Sequence, residues 1–211
     1  MKSSNKILIL GSIGLDTIET QYGKKESLLG GSATYATIAA GINSAAIPLG
    51  IVGDDFPQGG YDIFSKFSLN INNIEEQSGA TFRWSGKYHD DGEGRDTLFT
   101  ELGVFEDFQP VIRENDSNIS WLFLANIHPT LQMSVLDQCT NNPLVIIDTM
   151  NLWIDTTPNE LILLLNKTNI LLINESEIFE LTGFADLKLA VNKVLSMGPE
   201  KIIVKFGSKG A

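Results

Sequence analysis

Short apolar runs closed by glycine, asparagine or an acid alternate along this chain with segments of helical period. "KILILGS" (6–12) and "AAIPLGIVGDD" (45–55) are nearly continuous apolar runs, the pattern of strands buried on both faces of a sheet. Between and after them, "SATYATIAAGIN" (32–43) and "PQGGYDIFSKFS" (57–68) read as helices, and "INNIEEQ" as a short strand. From Ser120 the rhythm is regular: strand "SWLFLAN", helix "LQMSVLDQC", strand "PLVIIDTM", helix "TPNELILLLNK", strand "NILLINES", helices "ESEIFELTG" and "LKLAVNKVLSMG", strand "KIIVKF". Apolar strands alternating with amphipathic helices predict an α/β fold with a mostly parallel sheet covered by helices. Two segments depart from this rhythm. "LDTIETQYGKKESLLGG" (15–31) alternates polar and apolar residues around Tyr22-Gly23-Lys24, and Ala80 to Thr100 does so around a charged glycine turn at Asp90–Gly94. Both read as exposed hairpins that can meet in space.

Composition narrows the class. With 211 residues, 43% hydrophobic and 19% charged, the chain has the make-up of a soluble globular protein with one sizeable core. A net charge of −11 argues against nucleic acid as a partner. No apolar run approaches the roughly 20 residues of a membrane helix, and "MKSSNKILILGSIG" reads as a first strand rather than a signal peptide. The single Cys139 excludes an internal disulfide and points to the cytoplasm. His89 and His128 stand apart, without a zinc-type ligand set.

In a parallel sheet ligands sit beyond the carboxyl ends of the strands, which singles out Asp16, Gly30, Gly31, Gly53, Asp54, Asn126, Asp148, Asn174 and Gly207. Gly30-Gly31 lets a ligand approach backbone just before a helix; the plainer reading is a turn with Ser32 as N-cap. Asn174 and Glu177 have the spacing of a capping box, and equally that of two oxygen donors aimed through water at a phosphate-bound Mg²⁺. Asp148 ends a buried strand as a further acidic candidate, and Lys205 with Gly207 offers a point charge and open backbone to a polyphosphate. A Walker A motif, a dinucleotide fingerprint and a G-x-S-x-G elbow are all absent from the sequence.

Taken in order, the glycine strand end with Asp16, "GGSATYAT", "VGDDFP", "NESE" and "VKFGSKGA" resemble the PfkB/ribokinase family of carbohydrate kinases over nearly the whole chain. The resemblance implies a three-layer α/β/α sandwich with a small β-sheet lid, formed here by roughly 15–30 and 80–101. It implies ATP and Mg²⁺ as cofactors and a small sugar or nucleoside as phosphoryl acceptor. Asp16, Gly30 and Gly31, with Ser32 and Tyr35 beside them, then match the acceptor site. Asn174 and Glu177 match the element that organises Mg²⁺ and phosphates, Asn174 on the phosphate side and Glu177 on Mg²⁺ through water, with Asp148 as a second metal candidate, and Lys205 and Gly207 match the turn facing the ATP phosphates.

Two departures from the family stand out. Tyr35 replaces a usual asparagine, and the second family signature, D-T-x-G-A-G-D, which carries the general base, does not occur. On this reading residues 1–211 are an incomplete kinase domain, with the base expected beyond Ala211 and the chain alone inactive. The alternative is a non-catalytic sugar- or nucleoside-binding module of the same fold. Tyr35, Phe82 and Trp84 would suit a planar base, whereas pairing of lids between subunits would bury the lid aromatics in a homodimer.

Overall fold

The structure, a computed structural model, describes residues 5–90, 94–113, 116 and 118–211. Much of the turn expected at Asp90–Gly94 falls outside the described residues. Seven strands form an all-parallel sheet: β1 (Lys6–Leu10), β4 (Ala45–Gly53), β5 (Ile74–Gln77), β8 (Trp121–Leu124), β9 (Leu144–Asp148), β10 (Ile170–Asn174) and β11 (Lys201–Lys205). Their order is β11-β10-β9-β8-β1-β4-β5. The two hairpins do meet. β2 (Gly14–Thr20) and β3 (Gly23–Gly30) join β6 (Phe82–Tyr88) and β7 (Arg95–Glu101) in a second sheet, ordered β3-β2-β6-β7, through a parallel β2–β6 pair.

Strand parity divides the core. Leu8 and Leu10 of β1 face one layer and Ile9 the other. On the side of Ile9 lie α1 (Ser32–Gly41) and α2 (Gln58–Phe67), which contribute Ala33 and Phe64. On the other side α3 (Pro129–Asp137), α4 (Asn151–Thr156), α5 (Pro158–Leu165), α6 (Glu175–Thr182) and α7 (Leu187–Leu195) contribute Val135, Ile154, Leu161, Ile178 and Val194. α4 has no counterpart in the sequence-based expectation. It precedes α5 because Pro158, at the first turn of α5, starts a new helix after Thr157 leaves helical geometry. Ser32 is also not the N-cap of α1. That position belongs to Gly31, and Ser32 is the first helical residue.

One face is only partly covered among the described residues. Trp121, Ile146, Ile170, Leu172 and Ile203, on the α1/α2 side of β8–β11, join neither apolar cluster among the described residues, and Ile203 is 44% exposed. A parallel sheet is ordinarily covered on both faces, and an apolar surface of this kind is adhesive. The 211-residue protein is therefore expected to bind the dye ANS and to self-associate in light scattering. Ile203→Lys, flanked on its strand by Lys201 and Lys205, should weaken both effects without unfolding the protein; unchanged dye binding would show that this face is covered in solution.

Candidate functional site

The carboxyl ends of β1, β8, β9, β10 and β11 form one rim. At its first end β1 runs into Gly11-Ser12, and the start of α1 folds back on it. Ser12 and Ser32 exchange hydrogen bonds, each backbone N–H donating to the other's hydroxyl at 3.1 Å, and Ala33 N–H donates to the Ser12 carbonyl at 3.0 Å. Such closeness requires glycine: a Cβ on Gly31 would stand 2.3 Å from the Ser12 carbonyl oxygen, and Gly31 has φ 92°. The Asp16 carboxylate lies over Gly30, where a Cβ would come within 2.1 Å of Oδ2. Burial alone pushes the Asp16 carboxyl up to about 6, with no cation or hydrogen bond among the described residues to offset it.

At the other end, Lys205 of β11 reaches across β10 and donates to Asp148 of β9 at 2.7 Å. Beside them Asn174 caps α6. Its side chain accepts from Glu177 N–H at 2.8 Å while Glu177 accepts from Asn174 N–H at 2.9 Å, so the capping-box reading holds. Glu177 is only 8% exposed; burial raises its pKa and Asp148 adds to the rise, against the opposing bond from Asn174 N–H and the charges of Lys205 and Arg95. Gly207, exposed and with φ 59°, begins a single 3-10 turn just beyond Lys205. Among the described residues no three His, Cys, Asp or Glu side chains gather into a metal cage. Two neighbouring carboxylates, one of them held by a lysine, suit instead a hard cation that keeps its waters and arrives on phosphate.

Asn126, just beyond β8, ties the first end to the segment that follows β9. Its carbonyl accepts from the Ser32 hydroxyl at 3.2 Å, its Oδ1 accepts from Trp153 Nε1 at 2.8 Å, and its Nδ2 contacts Met150 Sδ at 3.1 Å. Buried Gln132 sets Nε2 against the carbonyls of Leu124, Ala125 and Asp148, fixing the ends of β8 and β9 together. His128 caps α3 and packs its ring edge-on to Trp153 at 5.1 Å. The acid cluster after β4 has a scaffolding part. Asp55 accepts from Thr81 N–H and pairs with Arg83, while Gly53 N–H donates to Thr81, so the small sheet is anchored beside the rim. A cavity of about 360 Å³ lined by Leu49, Asn73, Phe108 and Arg113 shares no residue with the rim.

No protein-family model matches the chain. A cytidine kinase of Thermococcus kodakarensis is 23% identical over 209 residues, 97% of this chain and 74% of that enzyme. The nucleoside kinase of Methanocaldococcus jannaschii, an archaeal member of the ribokinase family, superposes with a TM-score of 0.72 at 20% identity, over 100% of this chain and 73% of its own. Arabidopsis thaliana ribokinase, complexed with ribose and ATP, superposes with a TM-score of 0.69 at 19% identity, over 96% and 72%. The fold is ribokinase-like.

Within this ribokinase-like fold, most residues picked from the sequence fall into two groups on the rim, while Gly53 and Asp54 bond to the segment leading into the small sheet. Asp16, Gly30, Gly31 and Ser32 cluster at one end; Asp148, Asn174, Glu177, Lys205 and Gly207 cluster at the other. Tyr35 joins neither group: it is 60% exposed, on the flank of α1 away from buried Ala33, Thr34 and Thr37. Phe82 is taken up by Phe105, 5.8 Å away, which itself packs on Phe108. Sequence reasoning missed Ser12, Gln132, Trp153 and Arg95, because each acts through a partner distant in sequence and none sits in a recognisable motif.

Proposed function

We propose that this chain is the acceptor-binding and phosphate-facing part of a ribokinase-family phosphotransferase, which moves the γ-phosphoryl group of ATP to a hydroxyl of a small sugar or nucleoside. One observation carries the reading: Asp16, a half-buried carboxylate whose charge no neighbouring cation offsets among the described residues, lies beside the Gly30–Ser32 turn on the rim that also bears Lys205, Asp148 and Glu177. Asp16 accepts hydrogen bonds from acceptor hydroxyls, and Gly30-Gly31 lets the acceptor lie against backbone. Lys205 and the Gly207 turn face the phosphates, and Glu177 with Asp148 receives the waters of Mg²⁺, which when bound neutralises phosphate charge. The small sheet is the lid that excludes water from this cleft.

The general base, in this proposal, is none of these residues. Each of these carboxylates has another task in it: Asp16 holds the acceptor, Asp148 accepts from Lys205, and Glu177 closes the cap of α6. The 211-residue protein is expected to bind ribose or a nucleoside in isothermal titration and to transfer no phosphate in a coupled ATP assay. Failure to bind any of these acceptors would remove the kinase reading. Phosphorylation of any of them would overturn the assignment of the base.

A further inference from the structure

From β7 the chain returns to the core through 102–113, a stretch with no helix beyond the single 3-10 turn Gly103–Phe105. Phe105, Phe108 and Ile112 of this stretch pack into the same apolar cluster as Leu49 of β4. Beside Leu49 and Phe108 lies the cavity of about 360 Å³ that shares no residue with the rim. Both of those residues are buried, so the floor is apolar, and exposed Val111 extends it outward. The polar side is braced from behind. Buried Asp116 accepts from Asn70 Nδ2 at 3.1 Å and from Asn73 Nδ2 at 2.8 Å, while Asn73 Oδ1 accepts from the Arg113 N–H at 2.9 Å. Arg113 Nε donates to the Asn72 carbonyl, which holds the guanidinium against the cavity wall. Its terminal N–H groups meet no acceptor among the described residues.

These groups define a ligand. One guanidinium fork matches one carboxylate through two parallel N–H···O bonds. A phosphate dianion would set two charges against a single cation, in a cavity that Glu75 also lines. The apolar floor calls for an apolar body behind the carboxylate, and the volume suits a small organic molecule. Phe108 also begins a series of rings. It packs on Phe105 at 5.8 Å, and Phe105 packs at 5.8 Å on Phe82, the first residue of β6. Next to them the Val104 N–H donates to the Ala80 carbonyl at 2.9 Å. Whatever is seated on Phe108 therefore bears on the root of the small sheet.

We propose that this cavity binds a small monocarboxylate with an apolar body, held by Arg113, and that its occupant steadies the small sheet through Phe108, Phe105 and Phe82. The proposal is independent of what the rim binds.

The test is NMR titration of the 211-residue protein with phenylacetate, its neutral analogue phenylacetamide and inorganic phosphate, followed by hydrogen exchange read by mass spectrometry. Phenylacetate should bind at least about tenfold more tightly than either of the others. Arg113→Met and Val111→Asp should each weaken phenylacetate about tenfold or more, at side chains exposed enough to leave the thermal midpoint unchanged. Lys205→Met, at the rim, should leave phenylacetate binding as it is. Bound phenylacetate should slow exchange of the β6 amides in the wild type but not in Phe105→Leu, which binds it equally well. No binding of phenylacetate, phosphate bound as tightly, affinity unmoved by Arg113→Met, or affinity lost in Lys205→Met would each overturn the site. Binding that leaves β6 exchange unchanged would overturn the link to the small sheet.

Discussion

Asp16→Asn is expected to make the protein more stable at pH 8 and far less able to hold an acceptor. Burial pushes the Asp16 carboxyl up to about 6, against an ordinary value of 3.8. The folded state therefore resists ionisation that the unfolded chain undergoes freely. In the unfolded chain the proton leaves near pH 4; in the folded protein it stays until about 6. Stability attributable to Asp16 is thus complete below pH 4 and is lost as pH rises toward 6, to a total of about 1–2 kcal/mol once solvent screening of this half-exposed group is allowed for, which asparagine does not lose. Thermal unfolding should show the variant roughly 5 °C above the wild type at pH 8 and level with it at pH 4. Acceptor affinity should move the other way. The ionised carboxylate is the stronger hydrogen-bond acceptor, so wild-type affinity should rise between pH 5 and 7, and Asp16→Asn should weaken binding about 100-fold at pH 8. A variant less stable than the wild type at pH 8 would show that Asp16 holds the fold together rather than the ligand. Stability withheld for binding is common at functional sites.

Gly30→Ala and Gly31→Ala should fail in different ways, although the residues are adjacent. The Cβ of Gly31→Ala meets backbone, the Ser12 carbonyl oxygen at 2.3 Å, and the residue sits at φ 92° and ψ 150°, a region essentially closed to residues other than glycine. Neither obstacle can move without opening the Ser12–Ser32 exchange. The expected cost is about 1–3 kcal/mol of stability, seen as a fall in thermal midpoint of several degrees, with acceptor binding lost as well. The Cβ of Gly30→Ala meets only the end of the Asp16 side chain, 2.1 Å away, at an ordinary backbone conformation. That carboxylate can swing aside. Stability should stay within about 0.5 kcal/mol of the wild type while acceptor affinity falls. Equal destabilisation by the two substitutions would mean that the Gly31 turn is not a fixed point of the fold.

The periodic elements were legible because each carries its own signal. Alternation of two placed β2, β3, β6 and β7 in exposed hairpins, continuous apolar runs placed the central strands, and the Asn174–Glu177 spacing announced a helix cap that the structure contains. The start of α5 was legible in "TPNELILLLNK", where Pro158 takes the first turn, but six-residue α4 was not, since "NLWIDT" is too short to show a helical period. Ser32 looked like an N-cap by residue type, yet Gly31 takes that position because only glycine can pass so close to Ser12.

By itself, then, the sequence determined all the strands of both sheets, the longer helices and which polar residues end the strands, because these follow from the 2- and 3.6-residue periods of the backbone. Strand order decided the rest. Lys205 meets Asp148 across 57 residues, Ser32 meets the Asn126 carbonyl across 94, and nothing local in either segment encodes the partner. The same holds for the aromatics of β6. Phe82 and Trp84 are equivalent in alternation, but the chain after β7 returns Phe105 onto one and leaves the other beside Asp16, with Arg95 over its ring. Which partner each ring finds depends on what the rest of the chain lays over it, and that is settled only when the two sheets come together.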